Sequence, residues 1–186
     1  MLTRWLATLF FLLPAFACAT ELAQALQSPN YVLLMRHAYA PGVGDPPNYS
    51  LDRCEGQRLL NDEGRLQATR IGAWLRQQAV QHATVRSSVW CRCTETASLL
   101  RFGTVTVEAS LASFFDEPSR AASQNAALKK LLSQVLPAKG DSALILVTHH
   151  VNIAEFTGEN IGSGDMVLAH IGPQGTLLGF RLYPSP

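Results

Sequence analysis

Two uninterrupted apolar runs, Tyr31-Val32-Leu33-Leu34-Met35 and Ala143-Leu144-Ile145-Leu146-Val147, place the tightest constraint on the fold. A strand that is apolar at every residue, not at alternate ones, is buried on both faces, as in a parallel sheet covered by helices. The first run stops at Arg36-His37, and the second, after Thr148, at His149-His150. Ligands of open α/β sheets sit beyond the carboxyl ends of the strands. Both pairs therefore stand where working chemistry is expected. A further strand, Thr84 to Val89, runs through Ser87-Ser88 and leads directly to Arg92.

Between these strands the pattern alternates with helices. Asn61 or Asp62 caps a helix that runs to Ala79, with Leu66, Ile71, Trp74 and Leu75 on its inner face. A second helix is expected from Arg92 to Arg101, with Ala97, Leu99 and Leu100 inward. Thr104 to Glu108 reads as a strand, Arg120 to Val135 as a helix ended by Pro137 and Gly140, and Asn152 to Phe156 as a short helix. Met166 to Ile171 and Thr176 to Tyr183 are strands joined by the turn Gly172-Pro173-Gln174-Gly175, which suits a hairpin. The long segment Tyr39 to Leu60 is irregular, because Pro41, Pro46 and Pro47 with Gly42 and Gly44 exclude a helix through its first third. Loops of that length in compact domains are usually functional or disordered. The expectation is a single α/β domain over residues 20–186, with a mostly parallel central sheet, helices on both faces and an antiparallel edge.

The start of the chain reads differently. Met1 to Arg4 is positive, Trp5 to Phe16 is apolar, and the small residues Ala17 and Ala19 form an A-x-A site before Thr20. Residues 1–19 thus read as a secretory signal peptide, too short to span a bilayer. An alternative is a lipid anchor on Cys18. The expected location is secreted or periplasmic. In such an oxidising compartment two of Cys54, Cys91 and Cys93 pair. Cys91 and Cys93 lie too close on one segment to bridge easily, so the bond joins Cys54 to one of them. A net charge of +1, with Lys and Arg scattered, gives no case for nucleic acid.

Two arginines and two or three histidines gathered at one rim suit phosphoryl chemistry. A guanidinium is a planar fork of donors matched to phosphoryl oxygens. A neutral imidazole is nucleophilic near neutral pH. Phosphoryl transfer needs in-line positioning and charge stabilisation, and these groups provide both.

On four motifs the chain resembles the histidine phosphatase superfamily, the phosphoglycerate-mutase-like fold. Leu34-Met35-Arg36-His37-Ala38 matches its R-H-G signature with alanine for glycine. Leu60-Asn61-Asp62-Glu63-Gly64-Arg65-Leu66-Gln67-Ala68 is similar to its L-S/T-x-x-G-x-x-Q-A helix start. Ser87-Ser88-Val89-Trp90-Cys91-Arg92-Cys93-Thr94-Glu95-Thr96-Ala97 resembles S-S-P-x-x-R-x-x-E/Q-T-A with valine for proline, and Val147-Thr148-His149-His150 resembles V-S/T-H-G. The resemblance implies that His37 is a nucleophile forming a phosphohistidine, that Arg36, Arg92 and His149 complete a phosphate pocket, and that neither metal nor organic cofactor is needed. The implied reaction is hydrolysis of a small-molecule phosphomonoester. The alternative is a non-catalytic phosphate-binding module of the same fold.

The leaving alkoxide needs a proton, for which the family uses a carboxylic acid. The branch with Asp directly after the second histidine is excluded, because His150 stands there. The large branch instead places a Glu in the loop after the third strand, where Glu117 is favoured here over Asp116. Asp45, Asn48, Tyr49 and Arg53 in the long loop are further candidates for substrate contact. His150 either touches substrate or points away. Thr148 and Asn152 are positioning or packing residues, Gly64 and Gln67 are scaffold, and His82 and His170 are structural or exposed.

Overall fold

The computed structural model describes residues 20–186. The expected leader, with Cys18, lies outside the described residues. In chain order the elements are α1 (Glu21–Gln27), β1 (Tyr31–Arg36), α2 (Asp62–Gln77), β2 (Ala83–Ser87), α3 (Cys91–Leu99), β3 (Val105–Val107), α4 (Ala121–Val135), β4 (Ala143–Thr148), α5 (His150–Thr157), β5 (Met166–Ile171) and β6 (Leu177–Tyr183). The six strands form one sheet in the order β3-β2-β4-β1-β5-β6. β2, β3, β4 and β1 are mutually parallel, while at the edge beyond β1 the strand β5 runs antiparallel to β1, and β6 antiparallel to β5. The two all-apolar runs are thus β1 and β4, paired at the centre with Arg36 opposite Thr148.

Alternate side chains along these strands enter two separate cores. Leu33, Met35, Ile145 and Val147 pack with Leu22 and Leu26 of α1, Ile71 and Leu75 of α2, and Ala97 and Leu100. Val32, Leu34, Leu144 and Leu146 pack on the opposite face with Leu128 and Leu132 of α4 and Ile153 and Phe156 of α5. That two-sided burial is why neither strand alternates with polar residues. Among the described residues no helix is long and apolar enough to cross a membrane.

Two local expectations change, and one helix stands where the sequence reading placed no element. The helix α1 is too short for its periodicity to stand out, yet Thr20 caps it through Ala23 N–H and it contributes Leu22, Ala23 and Leu26 to the core. Leu66 is 60% exposed, not inward. The buried face of α2 is Gly64, Ala68, Ile71, Gly72 and Leu75, and two residues after Gly64 is about 200° round the helix from it. Small residues line this face because backbone comes close. A Cβ on Gly64 would lie 1.9 Å from the Tyr39 carbonyl oxygen, and one on Gly72 2.5 Å from that of Leu100. The strand before Arg92 ends at Ser87, so Trp90 becomes the N-cap of α3.

Candidate functional site

The carboxyl ends of β1, β2 and β4 converge, and the side chains just beyond them share one cavity of about 200 Å³. Arg36, His37, Arg92, His149 and His150 line it, with Gly42, Val43, Gly44, Asp45 and Arg58 from the long loop and Ser113, Phe115 and Asp116 from the loop before α4. A larger cavity of about 470 Å³ lies elsewhere, against Leu132, Leu136 and Pro173, and no titratable side chain lines it.

His37 is 1% exposed and its Nδ1 lies 2.7 Å from its neighbour's carbonyl, Ala38 O. A carbonyl only accepts, so Nδ1 carries the proton and Nε2 keeps its lone pair. Burial pushes the His37 pKa well below 6.5. The Ala38 carbonyl opposes that shift, and the guanidiniums of Arg92, Arg58 and Arg36 reinforce it. The His149 ring sits 5.4 Å from that of His37, edge to face, with Nε2 2.9 Å from Ser88 Oγ and 3.4 Å from the buried thiol of Cys93. Burial, then His37 and Arg92, lower the His149 pKa well below 6.5 as well.

Two neutral buried imidazoles carry a consequence for stability. Each has a folded pKa below its unfolded value, so below about pH 6.5 the unfolded chain binds more protons and stability falls as pH falls. Urea unfolding is expected to give a smaller free energy at about pH 5.5 than at about pH 7.5. A constant unfolding free energy over that window would show that neither ring is held neutral.

Arg36 and Arg92 are each pinned through a single nitrogen, Nη1. Arg36 Nη1 donates to Ile161 O at 2.8 Å, and Arg92 Nη1 to Asp45 Oδ1 and Oδ2 at 2.8 and 3.1 Å. The Nε–H of both is buried without an acceptor among the described residues. Buried donors are nearly always satisfied, and both of these belong to arginines that line the cavity. The helices α3 and α5 both begin here, and neither Trp90 nor His149 caps its helix through a side-chain hydrogen bond. Their N-terminal N–H groups add partial positive charge.

The long loop contributes more than its sequence signals. Asp45 does not stand free for substrate: it accepts from Arg92, from Arg58 N at 2.9 Å and from Trp90 Nε1 at 3.0 Å. Burial raises its pKa, but the hydrogen bonds from Arg92 and Arg58 outweigh this and hold it below the ordinary carboxylate value. Arg58, passed over in the sequence, lines the cavity and donates from Nε to Gly44 O and from Nη1 to Ala40 O. The Cys54–Cys91 disulfide ties this loop to the residue before Arg92, and Gln57 Oε1 accepts from Cys91 N at 3.0 Å. Cys93 is the unpaired partner of the alternative bond, buried, with its thiol pushed up to about 12 by desolvation.

Of the two acid candidates, Asp116 lines the cavity. Glu117 does not: its side chain is 64% exposed and lies 3.6 Å from Arg120 on the surface. Phe115 and Asp116 form a turn closed by Glu117 N donating to Phe114 O at 3.0 Å, and this turn sets Asp116 at the cavity's exposed edge. Thr148 Oγ1 donates to Leu111 O and Asn152 Nδ2 to Ala112 O, both at 2.8 Å, fixing this loop over the strand ends. His150 faces Phe115, ring centroids 5.6 Å apart. Of the other loop candidates Arg53 is exposed, while Tyr49 packs near Trp90. Gln67 holds Tyr39 N and Ser163 O, a scaffold role, and His170 stacks on Tyr31. Ala38 packs with Ala40, Leu60 and Ala68 and does not line the cavity, so its methyl group does not crowd the site. Among the described residues no cluster of three or more His, Cys, Asp or Glu side chains is arranged to hold a metal ion.

Solved structures share this architecture. One described as the protein histidine phosphatase SixA complexed with tungstate matches over 83% of this chain and 97% of its own, with 17% identity and a TM-score of 0.56. A phosphoserine phosphatase from Entamoeba histolytica, in complex with 3-phosphoglyceric acid, covers 81% and 96% at 13% identity and a TM-score of 0.59. A mycobacterial glucosyl-3-phosphoglycerate phosphatase with VO3 covers 83% and 98% at 17% identity and a TM-score of 0.59. The fold is the one these phosphatase structures share. No family model matches the sequence, and no curated protein matches it. Within this shared fold, the cavity lies at the carboxyl ends of the parallel strands, the position expected for a ligand site in an open α/β sheet.

Proposed function

We propose that the protein is an exported phosphatase that hydrolyses a phosphomonoester through a phosphohistidine on His37. One observation carries the reading: an unprotonated Nε2 shares a buried cavity with two guanidiniums whose Nε–H groups lack acceptors. Three guanidiniums, Arg36, Arg58 and Arg92, and the carboxylate of Asp45 leave two positive charges, which match a phosphoryl dianion. The phosphatases of this fold bound to tungstate and VO3 support an oxyanion site. Residues 1–19 support export, as does a Cys54–Cys91 bond of a kind that persists in oxidising compartments.

In the first step the Nε2 lone pair of His37 forms the P–N bond while the P–O bond to the leaving group breaks. Nδ1–H keeps its bond to Ala38 O, so the ring holds its orientation as positive charge develops. Arg36, Arg58, Arg92 and His149 share the charge on the equatorial oxygens. Asp116, in place of Glu117, donates its proton to the departing oxygen. Water then forms a new P–O bond, gives its proton to the Asp116 carboxylate, and the P–N pair returns to Nε2.

Asp116→Asn is expected to lower kcat for an alkyl phosphate by roughly 100-fold or more, and much less for an aryl phosphate, whose leaving oxygen needs no proton. Glu117→Gln should stay within about twofold, as for most exposed changes. The reverse ranking would return the acid to Glu117. Binding of inorganic phosphate without turnover of any monoester would select the non-catalytic module.

A further inference from the structure

We infer that the substrate carries the phosphoryl group as its sole anion, on an uncharged leaving group that lays an apolar or aromatic face against Phe115 and Val43. This rests on the phosphatase reading and names the class of ester that the site takes. A cavity of about 200 Å³ is smaller than those that enclose whole drug-sized ligands. The phosphoryl group and the first atoms of the leaving group fit inside, and the remainder meets the rim.

The rim differs sharply from the floor. Val43 is 87% and Phe115 40% exposed, and both line the opening. Single exposed apolar residues are ordinary, but these two come from different loops that meet across one mouth. A Cβ on Gly44 would lie 3.9 Å from Phe115 Cε1 and 4.0 Å from Asp116 Oδ1. Phe115 is held in place, its N–H donating to Ser113 Oγ at 3.2 Å and its ring packed on His150.

Among the described residues no arginine or lysine beyond Arg36, Arg58 and Arg92 lines the mouth: Asp116 stands there as the proton donor, and Glu117 beside it is engaged with Arg120 on the surface. His150 offers no cation near neutral pH, because burial and then Arg36, Arg58 and Arg92 lower its pKa. The three guanidiniums are occupied by the phosphoryl group and Asp45. A carboxylate or second phosphate beside the reacting one would meet the like charge of the phosphoryl dianion and find no further cation among the cavity-lining residues.

Phosphonates test this without any leaving-group chemistry. By calorimetric titration the full protein is expected to bind phenylphosphonate at least about tenfold more tightly than 2-phosphonoacetate. Phe115→Ala should cut that preference to within about threefold, and lower kcat/KM for phenyl phosphate about tenfold more than for methyl phosphate. Variant-to-wild-type ratios cancel the greater intrinsic reactivity of the aryl ester. Equal or tighter binding of phosphonoacetate, equal loss on both esters, or binding of neither phosphonate overturns the inference. Preference for phenylphosphonate with no ester turned over would overturn the phosphatase reading alone. Turnover with preference for phosphonoacetate would overturn the selectivity alone.

Discussion

His37→Ala is expected to lower kcat/KM for every phosphomonoester by roughly 10⁴-fold or more. The size follows from the route, because without Nε2 no covalent intermediate forms and only charge stabilisation around a directly attacking water remains. Arg36, Arg58 and Arg92 stay in place, so inorganic phosphate should still bind and protect against thermal unfolding. That pairing of lost turnover with retained binding separates removal of a nucleophile from a collapsed site. Rapid quench with labelled substrate should leave label on the wild type and none on the variant. A variant retaining more than a tenth of the activity, or carrying label on another residue, would remove His37 from the role.

The second large effect concerns the Asp45–Arg92 pair, whose side chains are 2% and 3% exposed. Arg92→Met leaves a carboxylate buried without its cation and is expected to cost about 3–5 kcal/mol in urea unfolding. Asp45 retains only the N–H donors of Arg58 and Trp90. Adding Asp45→Asn removes the stranded charge, so the double variant should recover most of the stability and none of the activity. The two changes are strongly non-additive because they act on one contact. Additive losses would show that the pair contributes as separate groups. The depressed pKa of Asp45 gives the sign of its pH dependence: its contribution is present above the unfolded value and lost as acid protonates the folded carboxyl. That window opens only below about pH 3.8, whereas the histidine contribution begins to fall below about pH 6.5.

Much of the architecture could be read before any coordinates. The unbroken apolar runs of β1 and β4 require burial on both faces, and the chain supplies helices for each. The hairpin of β5 and β6 follows from Gly172-Pro173-Gln174-Gly175. Leu66 was misplaced because its face is defined by Gly64, Ala68 and Gly72, small residues that carry almost no hydrophobic signal yet admit the Tyr39 and Leu100 carbonyls. The short helix α1 left too little periodicity to register.

For the site, the strand-end residues Arg36, His37, Arg92 and His149 were legible because their positions are set by regular structure with known direction. The loop residues were not. Nothing local distinguishes Arg58 from Arg53, or Asp116 from Glu117. Their orientation depends on carbonyls of Gly44 and Ala40 and on side chains of Thr148 and Asn152, all remote or non-repeating in sequence. Likewise Cys54 had two possible partners, and the packing of α3 chose Cys91 by turning Cys93 inward beside His149. By itself the sequence determined which strands are buried and which basic residues end them, since periodicity and local chemistry suffice for both. Tertiary structure alone decided which loop charges enter the cavity and which cancel one another, because that rests on contacts between segments far apart in the chain.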